Sequence, residues 1–290
     1  MASITIPYAV ADFIEMRERG FYYVDKTQYI AKLEDYKAPV FLRPRRFGKS
    51  LLVSTLACYY DRTKAHRFEE LFGDTWIGNH PTKEHNRYMI IRYDFSAMVM
   101  SDHIQGLAQN FNDLNCGPVE VMVAHNRDLF GDFEFSNRGD ASKMLEEVLT
   151  YARSHELPKV YILIDEYDVP LAKAYENGYY NEMVLLIRNL FGNVLKTNDS
   201  LAFAVLTGCL RIAKESIFTG LNNFKVYSIT NTEFDETFGF TNEEVRKMLV
   251  YYGLDSHFEE VKAWYDGYRF GEADVYCPWD LSLIHISEPT

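Results

Sequence analysis

The chain has only four cysteines, Cys58, Cys116, Cys209 and Cys277, and no two of them form a C-x-x-C pair. That spacing argues against a disulfide framework and a thiolate metal site, and the expected setting is reducing and cytoplasmic. No apolar run approaches the roughly 18 residues of a membrane span, so no membrane partner is expected. Met1 to Asp12 lacks a basic stretch followed by an apolar one, so no secretory leader is read there. Positive charge is scarce: 30 Lys and Arg stand against 42 Asp and Glu, a net charge of -12. Phosphate attraction dominates non-specific nucleic-acid binding, and an acidic chain opposes it. Nucleic acid is therefore expected as a partner only through a further C-terminal region. Internal repeats and low-complexity linkers are also absent, as is a guanine-reading Asn-Lys-x-Asp stretch, which weakly favours ATP over GTP.

What is there is an ordinary globular composition, 47% apolar and 25% charged, so a sizeable core is available. The pattern along the chain alternates strands and helices. Helices are expected over Ile14–Arg19 and up to Leu33, the latter capped by Asp25 or Thr27. A buried strand is expected over Pro39–Leu42, then a loop, then a helix from Lys49 to Tyr60. Further strands are read at Tyr88–Phe95, Val160–Ile164 and Leu201–Thr207. Helices are read at Arg62–Phe72, Ser101–Asn115, Ala141–His155 and Asn181–Lys196, while residues 117–139 read as irregular. This alternation implies an α/β fold, a parallel sheet between two layers of helices. Beyond Thr241 the reading turns helical, with a capping box at Thr241-Asn242-Glu243-Glu244, and a small C-terminal helical lid is expected.

Two motifs carry the chemistry. Arg43-Pro44-Arg45-Arg46-Phe47-Gly48-Lys49-Ser50 ends an apolar run and matches the phosphate-loop (Walker A) pattern G-x-x-x-x-G-K-[ST] at Gly48, Lys49 and Ser50, with Arg43 in the first glycine position. Backbone N–H groups at such a helix start, through Leu51, face anions. Gly48 permits close approach, Lys49 reaches the β- and γ-phosphates, and the Ser50 hydroxyl ligates Mg²⁺. Pro44 stiffens the turn, while Arg43, Arg45 and Arg46 add positive charge. The bland alternative is a basic turn before a helix. The second motif is Tyr161-Ile162-Leu163-Ile164-Asp165-Glu166, an apolar strand tipped by two carboxylates, the pattern of a Walker B strand. Asp165 is expected to hold Mg²⁺ and Glu166 to orient or deprotonate the attacking water. A solvated strand end is the alternative there. Asp168 reads more as a capping or hydrogen-bonding residue than as a catalytic one.

With these stretches the chain resembles the bacterial AAA-ATPase-like family of P-loop NTPases. The matching segments are Phe21 to Thr27, Phe41 to Leu51, Leu163 to Asp168, Thr207-Gly208 through Ile217 to Asn223, and Trp264 to Phe270, in family order. Arg43 in place of glycine is usual in that family, whose members often carry a C-terminal nuclease-like domain of the PD-D/E-x-K type. The resemblance implies an ATP-driven module using Mg²⁺, and it makes Thr207 a polar sensor of the γ-phosphate. Arg211 is either a second sensor or a surface salt bridge. Arg269 becomes a candidate to reach the nucleotide from the lid. Asp25-Lys26-Thr27 either flanks the adenine or caps a helix. Asn222-Asn223 and Asp266-Gly267-Tyr268 read first as turns.

The expected organisation is an ATPase domain over residues 1–238 and a helical lid over 239–280. Residues 281–290 resemble a translated sequencing adapter, which would leave the gene cut near Asp280 and an effector missing. Asp165-Glu166-Tyr167-Asp168 offers no lysine where a nuclease site needs one, so no nuclease chemistry is read in this chain. A slow nucleotide-gated switch and a noncatalytic interaction module are the rival readings. A homo-oligomer or protein partner, with an arginine finger from a neighbour, stays open.

Overall fold

The computed structural model describes residues 4–101, 103–195, 201–209 and 224–282. In chain order these give α1 (Phe13–Glu18), α2 (Gln28–Leu33), β1 (Ala38–Leu42), α3 (Lys49–Tyr60), α4 (Phe68–Phe72), α5 (Trp76–Asn79) and β2 (Met89–Asp94). There follow α6 (Ile104–His125), α7 (Arg127–Phe130), α8 (Ala141–Ser154), β3 (Val160–Asp165), α9 (Val169–Glu176), α10 (Tyr180–Leu195), β4 (Leu201–Gly208) and β5 (Phe224–Tyr227). The C-terminal part adds β6 (Phe240–Thr241), α11 (Asn242–Tyr252), α12 (Phe258–Tyr265), β7 (Tyr268–Phe270), β8 (Ala273–Tyr276) and α13 (Pro278–Leu281).

Five strands form one sheet in the order β2-β3-β4-β1-β5, every pairing parallel. The expected α/β fold is therefore present. β1 and β3 are buried along their whole length, as central strands covered on both faces must be. Successive side chains point to opposite faces. Val40, Leu42, Ile162 and Ile164 pack with α6, α8 and α10 through Leu107, Met144 and Ile187. Phe41, Tyr161 and Leu163 pack on the other face with Val53, Leu56 and Tyr60 of α3. The sheet thus aligns the carboxyl ends of β3, β4 and β1 side by side, the edge where open α/β sheets bind ligands.

Two expectations change. The helix read as ending at Asn115 continues through Gly117-Pro118 to His125. Its buried face runs on as Phe111, Asn115, Val119, Met122 and Val123, and packing that whole stripe outweighs the cost of an internal proline, about 3 kcal/mol. The C-terminal part is not helical throughout. Its capping box is formed, with Thr241 N–H donating to Glu244 Oε2 and Glu244 N–H to Thr241 Oγ1, but α11 and α12 accompany an antiparallel sheet ordered β6-β8-β7. The β7–β8 turn needs Gly271: its φ is +53°, and a Cβ there would meet Asn231 O and Thr232 Cα at 2.7 Å.

Candidate functional site

The chain leaves β1 through residues 43–48 and enters α3 at Lys49. Gly48 is the N-cap, with φ +86° and ψ 16°, a conformation cheap only for glycine. Arg46, two residues earlier, also has a positive φ, +71°, so the loop turns sharply before the helix. The first α3 bond runs from Leu52 N–H to Gly48 O, 3.0 Å. The N–H groups of Lys49, Ser50 and Leu51 precede it and carry the partial positive charge of the helix start.

The Lys49 side chain is buried, 3% exposed. Its Nζ donates to Pro44 O at 3.1 Å and Cys209 Sγ at 3.2 Å, and pairs with Glu166 Oε1 at 3.3 Å. Burial beside Glu166 raises the pKa of the Cys209 thiol, against the lowering effect of Lys49. Asp165 ends β3 and is buried, accepting a hydrogen bond at Oδ1 from the Thr207 hydroxyl of β4. Glu166 follows with φ +54°, a strained conformation of the kind found at functional sites. Its backbone is held on both sides: Tyr167 N–H donates to Thr207 O at 3.0 Å and Val169 N–H to Glu166 O at 3.0 Å. Asp168 takes a hydrogen-bonding role, with Oδ2 accepting from Cys209 N–H at 3.1 Å. Lys49, Asp165, Glu166 and Thr207 therefore form one connected cluster built from α3, β3 and β4.

The loop's other side chains divide by direction. Arg43 was read as charge for the cradle, yet its guanidinium is fully buried beneath the loop. Nη1 donates to Leu42 O (3.0 Å) and Tyr227 O (2.9 Å), and Nη2 to Phe234 O (3.0 Å). Its charge faces the rings of Phe238 and Phe270, and burial lowers its pKa to about 10. Arg43 thus spans carbonyls at the end of the sheet, where a glycine would leave them unpaired. Phe47 is buried against Tyr268 and Phe270 of β7, ring centroids 4.8 and 5.0 Å away. Pro44 gives its carbonyl to Lys49, and Arg45 is exposed. Arg46 lays its guanidinium 3.8 Å over the Trp279 ring of α13.

A cavity of about 370 Å³ opens on this cluster. Lys49, Ser50 and Glu166 line it together with Ile6, Val10, Tyr22, Met248 and Trp279. The segment around Ile6–Ala11 and the Pro278-Trp279 pair were not singled out from the sequence. Their apolar character was the available signal, but nothing local ties residues so far apart to one cavity. Lys26 and Thr27 also line it, and their motif is heavily used by the fold. Asp25 accepts from the N–H groups of Thr27 and Trp76, and Thr27 Oγ1 from that of Ile77. Lys26 Nζ donates to Glu236 O and Glu244 Oε2, both at 2.7 Å. Burial lowers its pKa and Glu244 opposes the shift. Arg269 is not at this cavity; it is exposed and pairs with Asp274 at 3.5 Å. Arg211 and Asn222-Asn223 lie outside the described residues.

A family model described as Predicted AAA-ATPase matches residues 7–218. The chain belongs to the AAA-ATPase-like family. It is also similar to an Azotobacter chroococcum mcd 1 protein described as "Uncharacterized protein in vnfD 5'region", 29% identical over 289 residues, which covers 98% of this chain and 52% of that protein. The chain spans about half the length of this curated relative. The family supports an ATPase-like module with nucleotide and metal use. Among the described residues no helix is long and apolar enough to cross a membrane. No cluster of three or more His, Cys, Asp or Glu forms a metal cage among them either. Mg²⁺ does not require one, because it binds through one or two protein oxygens, phosphates and water. The Ser50 hydroxyl and the Asp165 carboxylate supply oxygen donors of the right kind.

Proposed function

We propose that this AAA-ATPase-like chain binds Mg-ATP in the cavity above α3 and hydrolyses it. The observation that carries the reading is the Lys49–Glu166 pair at 3.3 Å, set between a left-handed glycine at a helix N-terminus and a buried aspartate. The α3 start with Gly48, Lys49, Ser50 and Leu51 holds the phosphates, and Lys49 turns its charge to the β- and γ-phosphates. Ser50 and Asp165 are the residues that would hold Mg²⁺, and the bound ion would supply charge stabilisation to the phosphate oxygens. Thr207 fixes the Asp165 carboxylate. Glu166 takes the proton of the attacking water as its oxygen bonds to the γ-phosphorus; the bond to the ADP oxygen breaks, releasing ADP and inorganic phosphate.

The same ion pair favours a second reading, a slow nucleotide-gated switch. A base held by a lysine is not free to accept a proton, so turnover waits on rearrangement. Residues 1–238 would form the ATPase module and 239–280 a lid. Nucleotide state would be coupled to a C-terminal effector, nuclease-like by family resemblance. ATP titration and phosphate release, with Lys49→Ala and Glu166→Gln beside the wild type, test the reading. It stands if Lys49→Ala loses binding and Glu166→Gln binds without turnover. A folded wild type that binds no Mg-ATP overturns it. Binding with turnover far below one per second selects the switch.

A further inference from the structure

The 43–48 loop is gripped by the C-terminal part at adjacent residues. Phe47 is buried against Tyr268 and Phe270. The Cys277 thiol donates to Arg46 O at 3.7 Å. The Arg46 guanidinium lies 3.8 Å over the Trp279 ring, and the Tyr8 ring packs on the same indole, 6.0 Å between centroids. Arg46 has φ +71°, a left-handed conformation that a residue other than glycine keeps only where its surroundings hold it. Cys277 and Trp279 supply that hold, one at the Arg46 carbonyl and the other at its guanidinium.

Arg46 and Trp279 line the same cavity as Lys49 and Ser50. The cationic side chains that line it are Lys26, Arg46 and Lys49. Lys26 is held by Glu236 and Glu244, and Lys49 by Glu166 and the Pro44 carbonyl. Arg46 differs: it is exposed, and its guanidinium makes no ion pair or hydrogen bond among the described residues. Stacking occupies the face of a guanidinium. The N–H donors lie in its plane, at the edge, and stay free for an anion. Holding so long a side chain in place also reduces the rotamer freedom lost when a phosphate binds. We infer that Trp279 is a positioning residue, its ring holding Arg46 at the cavity with the guanidinium edge free to bond the polyphosphate of a bound nucleotide. The inference rests on the phosphate-end reading above and deepens it. It makes α13, which lies outside the family match over residues 7–218, a part of the phosphate site.

The test is calorimetric titration of the full chain with Mg-ATP and Mg-tripolyphosphate, for wild type, Arg46→Gln, Trp279→Phe, Trp279→Leu and the variant carrying both Arg46→Gln and Trp279→Leu. Trp279→Leu should weaken both ligands about three- to tenfold. Trp279→Phe, which keeps an aromatic face, should recover most of that loss. Arg46→Gln should weaken both ligands by about tenfold or more. Adding Trp279→Leu to Arg46→Gln should then cost nothing further, because a residue that acts only through Arg46 has nothing left to position. Additive losses in the double variant overturn the positioning role. So does a Trp279→Leu loss for ATP with none for tripolyphosphate, which assigns the indole to stacking on the base. Where Trp279→Leu fails to fold, Arg46→Gln decides, since it changes an exposed side chain: tripolyphosphate affinity equal to wild type overturns the inference. A wild type that binds neither ligand is a different failure, that of the phosphate end itself, and takes this inference with it.

Discussion

Lys49 Nζ lies 3.3 Å from Glu166 Oε1, so the cation proposed for the phosphates and the carboxylate proposed for the water neutralise each other. Both are drawn from water, Lys49 almost completely, and a pair of this kind holds together because either charge alone would be costly. Phosphate oxygens entering the cavity would compete with Glu166 for Lys49. Glu166→Gln should then bind Mg-ATP a few-fold more tightly than wild type while turnover falls by about 10²–10⁴. Titration and phosphate release measure the two effects separately. Weaker binding by the variant would show that Glu166 orders the site rather than competes for it.

Restoring the general glycine at Arg43 should harm the protein. Arg43→Gly removes three hydrogen bonds to the carbonyls of Leu42, Tyr227 and Phe234 and leaves a void between the rings of Phe238 and Phe270. Breaking such a buried charge-assisted network costs on the order of 3–5 kcal/mol. Denaturant unfolding should show a loss of that size with the m-value unchanged. A variant as stable as wild type would mean the neighbouring rings close over the gap.

Much of this was legible in the sequence, and the reason is physical. Tyr161 to Ile164 is an unbroken apolar run, and a central parallel strand is what can bury every side chain of it. Gly48-Lys49-Ser50 and Asp165-Glu166 are local patterns, so their placement at strand ends followed once the strands were found. Arg43 misled because charge near a phosphate loop reads as ligand charge, whereas its direction is set by Tyr227 and Phe234, far along the chain. β6, β7 and β8 are two to four residues long, too short for alternation to register. The apolar lining of the cavity escaped because residues as far apart as Ile6 and Trp279 come to one cavity only through the tertiary fold.

Phe47 ties the loop to the C-terminal sheet, buried between Tyr268 and Phe270. Phe47→Ala should cost about 3–5 kcal/mol of stability. Because the residue adjoins Gly48 and Lys49, nucleotide affinity should fall as well. Phe47→Leu, which keeps apolar volume, should recover most of both. Thermal melts with and without Mg-ATP read the two together. A Phe47→Ala protein that melts lower but retains the full ligand-induced rise would separate the packing from the site.

Alkaline pH should unfold the chain through its buried tyrosines. Tyr23, Tyr60, Tyr93 and Tyr161 all have pKa values raised above 10, each chiefly by burial. Above pH 10 the unfolded chain releases these protons while the folded chain keeps them, so the native state binds more protons and stability falls as pH rises. Each such group removes up to about 1.4 kcal/mol per pH unit until its own folded pKa is reached. Below pH 10 these phenols are protonated in both states, and their contribution is constant. Tyrosinate absorbance should therefore appear in two stages, a gradual one from exposed phenols such as Tyr175 and a steep one that coincides with loss of far-ultraviolet circular dichroism. A single gradual rise, with the secondary structure intact throughout, would mean that these rings ionise within the native fold.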